Sequence, residues 1–256
     1  MSLQLRNPHS VMAVFQHRPQ DVLEIRILGA RPHGAWGDVV AQSQAHGIRV
    51  AFGGSTGRPT GGGSRQRQRK SPDAGGRSGG GEAVVREHSG VDLATLFKRR
   101  ESHSAGEGLW LALDQLQDPH NVGAIFRTAA FLGVAGIVLT KDASAPLNST
   151  VYDVASGGVD GVPFSLQTNL SRALDVAKEA GIWVLGTSEH ATTDVSQIDR
   201  GRPWLMVVGN EEKGLRRLTQ SKCDEICRIT QRGPVDSLNV SVATGILIAA
   251  LSPPLA

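Results

Sequence analysis

At 256 residues the chain has material for one large domain or two small ones. Its hydrophobic fraction of 39% is low and its 31 glycines are many for a globular chain, while a net charge of +3 and a pI near 9.1 leave room for a polyanionic partner without requiring one. No apolar run approaches the roughly 18 uncharged residues of a membrane span, and no signal-peptide core opens the chain, so a soluble cytoplasmic protein with no membrane partner is expected.

Residues 7–52 read as a small α/β unit. A helix starts behind Asn7-Pro8 and carries Ser10 to Phe15, and Val22 to Leu28 alternates as a strand. A polar helix runs from Gly37 to Ala45, and Ile48 to Phe52 closes as a second strand. Residues 53–81 change character: they are glycine-rich, nearly devoid of apolar side chains, and carry Arg65, Arg67, Arg69 and Lys70. Such a segment buries too little to offset its ordering entropy and is expected to be disordered. It suits either a solvated insertion, the commoner use of such composition, or an arm that tracks RNA phosphates. Strand character returns over Ala83 to Val91, and Asp92 to Lys98 can form a short helix leading into a hinge. His88, in a turn with no clustered partner, reads as structural. The expected organisation is a small α/β domain over 1–91 containing the 53–81 insertion, a linker over 92–108, and a larger domain over 109–256.

From Leu109 the periodicities strengthen. Leu109 to Asp114 is a buried strand, and Asn121 is an N-cap candidate after the loop Gln115 to His120. The following helix, Val122 to Leu132, aligns Val122, Ile125, Ala129 and Leu132 and stops at Gly133. With the strand Ala135 to Thr140 this makes a β-α-β unit and predicts a parallel sheet. Arg127 lies about 200° round from Ile125, away from the apolar stripe. Between Asn148 and Pro163 the sequence offers one amphipathic turn and a glycine-rich break. Leu170 to Ala180 is a second good helix, and Ile182 to Thr187 a strand. Trp204 to Val208 ends abruptly at Gly209-Asn210-Glu211, and Ile226 to Thr230 ends in Gln231-Arg232-Gly233-Pro234. A last helix opens at Asn239 behind Ser237, with Val240, Ala243, Leu247 and Ala250 at helical spacing. Cys223 and Cys227, four apart with no other cysteine, read as packing residues on a short turn and make a poor metal site.

Three strand ends therefore converge: Gly186-Thr187, Gly209 to Glu211, and Ile229 to Leu238. In an open α/β sheet the crevice beyond the strand C-termini is where ligands bind. There is no metal-ligand spacing, no GxSxG elbow and no GxxxxGK[ST] phosphate loop, and the missing GxGxxG weakens a nucleotide-dependent oxidoreductase. Asn121, Arg127, Glu211, Ser237 and Asn239 suit orientation and charge stabilisation better than covalent chemistry. By themselves they indicate a ligand-binding α/β enzyme.

Asn121 to Ala129, Val208 to Leu215 and Ser237 to Ala243, in that order, resemble the three signature motifs of the SpoU/TrmH-type RNA ribose methyltransferases of the SPOUT superfamily. The resemblance spans residues 109–251. Asn7 to Val11 and His88 to Val91 are similar to the borders of the family's small RNA-substrate-binding domain. It implies a C-terminal α/β trefoil-knot domain that binds S-adenosylmethionine in a bent conformation and forms a homodimer; the periodicities themselves carry no sign of a knot. It also implies that backbone around Thr187, Gly209, Ile229 and Leu238 holds the cofactor, while Asn121, Arg127, Glu211, Ser237 and Asn239 surround the incoming ribose. In the family the first-motif arginine, here Arg127, is given the hydroxyl proton to remove. A guanidinium with a pKa above about 12 is a poor base, so a phosphate clamp and charge stabiliser is the expected role. Within the family the chain is most similar to members that methylate a guanosine 2′-hydroxyl of 23S ribosomal RNA. A transfer-RNA ribose is the alternative target, and a non-catalytic RNA-binding protein of the same fold the alternative class. Deleting 58–81 is expected to leave fold and cofactor affinity unchanged.

Overall fold

A computed structural model describes residues 2–53, 80–98 and 108–252, which divide into two units, Met1–Glu87 and His88–Ala256. In the first, β1 (Ser2–Leu5) is followed by α1 (Pro8–His17), which Asn7 caps by accepting from the His9 N–H at 2.9 Å. Proline at the first helical position gives up only an N–H that the helix leaves unpaired. β2 (Val22–Ile27), α2 (Trp36–Ala45), β3 (Val50–Phe52) and β4 (Gly81–Arg86) complete a four-stranded sheet in the order β1-β4-β2-β3. β2 and β3 are parallel, as a β-α-β unit requires, whereas β4 runs antiparallel to both β1 and β2. Val11, Val14 and Phe15 of α1 and Trp36 and Val39 of α2 are buried, together with Val22, Ile25 and Ile27 of β2.

Most of the segment expected to be disordered, residues 54–79, lies outside the described residues. Its flanks are well defined. Ile27 pairs with Phe52 on one side and Gly81 on the other, so the two flanks lie two strand spacings apart, roughly 10 Å. The deletion boundary at residue 81 needs correcting: Gly81 opens β4, the Gly80 carbonyl accepts from Leu28 N–H, and a Cβ on either glycine would meet Trp36 within 3 Å. Replacing residues 54–79 by a four-residue Gly/Ser bridge, with Gly80 and Gly81 kept, is expected to leave the melting temperature unchanged. A lower melting temperature would show that the excised stretch contributes to the fold.

The second unit begins with α3 (Leu93–Lys98), β5 (Leu109–Leu113), α4 (Pro119–Phe131) and β6 (Gly136–Thr140). α5 (Ser149–Ala155), α6 (Gly158–Gly161), β7 (Phe164–Gln167) and α7 (Leu170–Glu179) follow. The chain ends with β8 (Trp183–Thr187), β9 (Thr193–Asp194), β10 (Trp204–Val208), α8 (Arg217–Gln220), β11 (Glu225–Arg228) and α9 (Val240–Leu251). All seven strands are parallel, in the order β7-β6-β5-β10-β8-β11-β9. β10 thus enters between β5 and β8, two strands already passed, which puts a topological switch at the C-terminal ends of the central strands.

Period-two alternation divides the core. Trp110 and Ala112 of β5, Leu205 and Val207 of β10 and Val184 of β8 face one layer, which α7 fills with Leu170, Ala173, Leu174 and Ala177. α4 packs with α5, α6 and α9 in the other layer. Residues 92–108 were expected to be linker, but Leu96 and Phe97 of α3 are buried in the first of these layers, so α3 belongs to the core. His88 takes a turn role: its Nδ1 accepts from Gly90 N–H, and its ring lies 4.9 Å from that of Phe164.

Three local expectations change. α4 starts three residues early, because Asp118 accepts from His120 N–H at 2.8 Å and Pro119 supplies the first turn, so Asp118 and not Asn121 is the cap. α9 opens at Asn239 as expected, but of the expected stripe Val240, Ala243, Leu247 and Ala250 only Leu247 is buried, beside Thr244, Ile248 and Leu251. Cys227 is buried within β11 instead of on a turn; burial pushes the thiol of Cys223 up to about 11 and that of Cys227 up to about 12. Both thiols therefore stay protonated at neutral pH and are poor nucleophiles.

Candidate active site

The ends of β8, β10 and β11 and the start of α9 enclose a cavity of about 1020 Å³. Asn121, Thr187, Gly209, Glu211, Ile229, Ser237, Leu238 and Asn239 all line it. Arg127 is set apart from them. It is exposed on α4, about 9 Å along the helix from Asn121 and on a different face, and does not line the cavity.

Glu211 organises the entrance. One carboxylate oxygen accepts from Asp118 N–H and Asn121 Nδ2, the other from Gln117 N–H, all at 3.3 Å, and from Asn210 Nδ2 at 3.4 Å. A carboxylate only accepts, so the Asn121 amide must turn its nitrogen toward Glu211 and its oxygen away. That oxygen accepts from Asn239 Nδ2 at 3.0 Å, which turns the Asn239 oxygen onto Ser241 N–H (2.9 Å) and Val242 N–H (3.4 Å) at the start of α9. One polarity therefore runs from the carboxylate through two amides to the electropositive end of a twelve-residue helix. Asn239 caps α9 and joins this relay at once, while Ser237 remains exposed on the cavity wall.

Further polar side chains fix the walls; apart from Thr187, the sequence pattern did not single them out. Asn210 donates to the Gln115 carbonyl at 2.8 Å and accepts from Glu212 and Lys213 N–H, which closes the turn over Gly209. Asp114, with a fully buried side chain, accepts from Thr219 Oγ1 at 2.8 Å and pairs with Arg216 at 2.6 Å, holding the end of the same loop. On the other wall, Asp194 accepts from the hydroxyls and N–H groups of Ser196 and Thr230, and these bonds hold its carboxyl well below the usual carboxylate range. Thr187 Oγ1 donates to Val207 O, tying β8 to β10. Arg228 Nε lies buried on the cavity wall without a hydrogen-bond partner among the described residues. Asp114 and Asn210 both sit at strand ends, a positional signal that could have found them; Arg228, a lone cation in an apolar run, carries only a weak one. Among the described residues no group of His, Cys, Asp and Glu is placed to hold a metal ion.

Parallel strands, a switch point and a cavity walled by three strand ends are combined here with the three sequence motifs. The SpoU rRNA Methylase family model matches residues 108–249. The chain belongs to this family. A relative from Pseudomonas aeruginosa, the 23S rRNA (guanosine-2′-O-)-methyltransferase RlmB, is 37% identical over 242 residues, covering 94% of this chain and 92% of the relative. The putative TrmH family tRNA/rRNA methyltransferase YacO of Bacillus subtilis is 40% identical over 166 residues, 65% of this chain and 66% of its own. Among solved structures, the SpoU methyltransferase AviRb from Streptomyces viridochromogenes in complex with the cofactor AdoMet superposes with a TM-score of 0.72 at 20% identity. It covers 98% of this chain and 89% of AviRb, so this member of the SpoU family shares the AviRb fold.

Proposed function

We propose that the chain transfers a methyl group from S-adenosylmethionine to a ribose 2′-hydroxyl of RNA, with a guanosine of 23S ribosomal RNA as target. The observation that carries this reading is the cavity at the ends of β8, β10 and β11, bordered by all three family motifs. The residues present fit a zwitterionic nucleoside. Strand-end backbone supplies donors and acceptors for adenosine, and the unpaired Arg228 Nε is a donor awaiting a partner. The activity for which the Pseudomonas relative is named supports the nucleotide and RNA assigned.

When bound, S-adenosylmethionine supplies a methyl group already activated on a positively charged sulfur. Positioning therefore accounts for much of the rate. Backbone around Thr187, Gly209, Ile229 and Leu238 holds the cofactor, and Asn121, Glu211, Ser237 and Asn239 define where the ribose enters. The relay from Glu211 to α9 engages both the nitrogen and the oxygen of the Asn121 amide, so its role is to keep the walls in register rather than to move a proton. Arg127 clamps an RNA phosphate and stabilises the negative charge that develops on the 2′-oxygen, while a phosphate oxygen or solvent accepts the proton.

The unit Met1–Glu87 serves as the RNA-substrate-binding domain, and the stretch from β10 to α9 as the knotted part of the fold. A homodimer is supported by apolar side chains left uncovered on α4 and α9: Phe131 is 88% exposed, Val242 51% and Ile246 42%. A cytoplasmic setting suits an RNA target, and among the described residues no helix is long and apolar enough to cross a membrane. Isothermal titration with S-adenosylmethionine, followed by labelled-methyl transfer to ribosomal and transfer RNA, tests the whole reading. Binding and transfer to 23S RNA are expected. Transfer to transfer RNA alone would change the substrate, and absence of binding would leave a non-catalytic RNA-binding protein.

A further inference from the structure

Arg228 awaits its partner in the transfer described above. It closes β11, lines the cavity, and its Nε is buried without a partner among the described residues. A guanidinium is charged at every physiological pH and presents its donors in a rigid plane, so leaving it unpaired against a cavity is unfavourable unless the cavity's occupant pairs it. Among the described residues no carboxylate pairs with the Arg228 guanidinium, and several beside the cavity are engaged elsewhere. Asp194, in register with Arg228 across β9 and β11, accepts from Ser196 and Thr230. Asp236 accepts from Gln231, Glu225 pairs with Arg202, and Glu211 holds four donors. The stem of Arg228 is also fixed, because the preceding residue's carbonyl, Cys227 O, accepts from Ser188 N–H at 3.0 Å and binds the end of β11 to the turn after β8.

We infer that Arg228 binds the carboxylate of the cofactor's methionine moiety as a two-pronged, charge-assisted pair. The inference rests on the S-adenosylmethionine reading. At neutral pH that carboxylate is the cofactor's only anionic group; the rest is a sulfonium, an ammonium and a neutral nucleoside. The walls otherwise offer backbone for the nucleoside and two solvent-exposed cations, Lys213 and Arg232, but among the described residues lining the cavity no other buried cationic donor for a carboxylate. Arg228 supplies that donor, and sets the direction in which the amino-acid arm lies, with the arm's carboxylate at the end of β11.

Calorimetric titration of the full chain with two ligands tests this. 5′-Methylthioadenosine keeps the adenosine and thioether of S-adenosylmethionine and lacks the amino-acid part. Arg228→Met is expected to weaken S-adenosylmethionine by about tenfold or more, to leave methylthioadenosine within about twofold, and Arg228→Lys to restore part of the loss. Equal weakening of both ligands would make Arg228 a packing residue and overturn the inference. Unchanged binding of both would overturn it too, and a shallower salt dependence of RNA affinity in that variant would then assign the side chain to a phosphate. If the unaltered chain binds neither ligand, the cofactor reading itself fails, an outcome distinct from failure at Arg228.

Discussion

Arg127→Ala is expected to lower methyl transfer about 100-fold while leaving S-adenosylmethionine affinity and melting temperature close to those of the unaltered chain. A hundredfold corresponds to about 2.7 kcal/mol of transition-state stabilisation, the scale of one well-placed cationic donor facing a developing oxyanion. The structure separates this residue from the cofactor walls: Arg127 is exposed on α4, lines none of the cavity, and its side chain enters no hydrogen bond within the described fold. Its removal should therefore cost the fold within about 0.5 kcal/mol, as for an ordinary surface position. Arg127→Lys keeps the charge without the planar fork, and intermediate turnover would show that the fork matters for gripping phosphate. Cofactor affinity falling in step with turnover would refute the division of labour, and unchanged turnover would return Arg127 to the solvated surface.

The parts of the fold that the sequence made legible are those in which apolar periodicity is bounded by a glycine or a cap. β5, α4, β6, α7, β8 and β10 all satisfy this, and each falls within a few residues of its expected place. β1 escaped because a four-residue edge strand with only Leu5 buried has no periodicity to detect. β7 is as short, and where one amphipathic turn and a glycine-rich break were expected the structure has two helices, α5 and α6, around left-handed Ser156 and Gly157. Strand order was beyond reach for a different reason: the entry of β10 between β5 and β8 depends on pairing between segments far apart, and period-two alternation is the same whichever neighbour a strand takes. At the site, residue types and motif order pointed to Asn121, Glu211 and Asn239, but not to their connection. Asn121 resembled a cap, and only the earlier start of α4 at Asp118-Pro119 frees its side chain to bridge Glu211 and Asn239.

Gly209→Ala should abolish that connection with a single methyl group. A Cβ at residue 209 would lie 2.3 Å from the Gly214 carbonyl carbon, 2.5 Å from Leu215 N and 2.6 Å from Gly214 O, all backbone atoms with no side-chain end to swing aside. The turn is held against Gly209 by reciprocal bonds between Asn210 and Gly214, with Gly214 in the left-handed region at φ +63°. To admit the methyl, residues 210–215 must lift away from β10. That displacement takes Asn210 from the Gln115 carbonyl and Glu211 from Gln117, Asp118 and Asn121, and through Asn121 it loosens the cap of α9. Overpacking of this kind costs about 2–3 kcal/mol, and a like cost charged against binding weakens cofactor affinity roughly 30- to 150-fold. Gly233→Ala supplies the control, since residue 233 lines the same cavity but an added Cβ there has open space and an ordinary backbone. Calorimetric affinity and thermal melts on both variants decide the matter. Wild-type affinity in Gly209→Ala would mean that the 210–215 turn can lift without disturbing the walls, and that the relay from Glu211 to α9 is not what holds the cavity in shape.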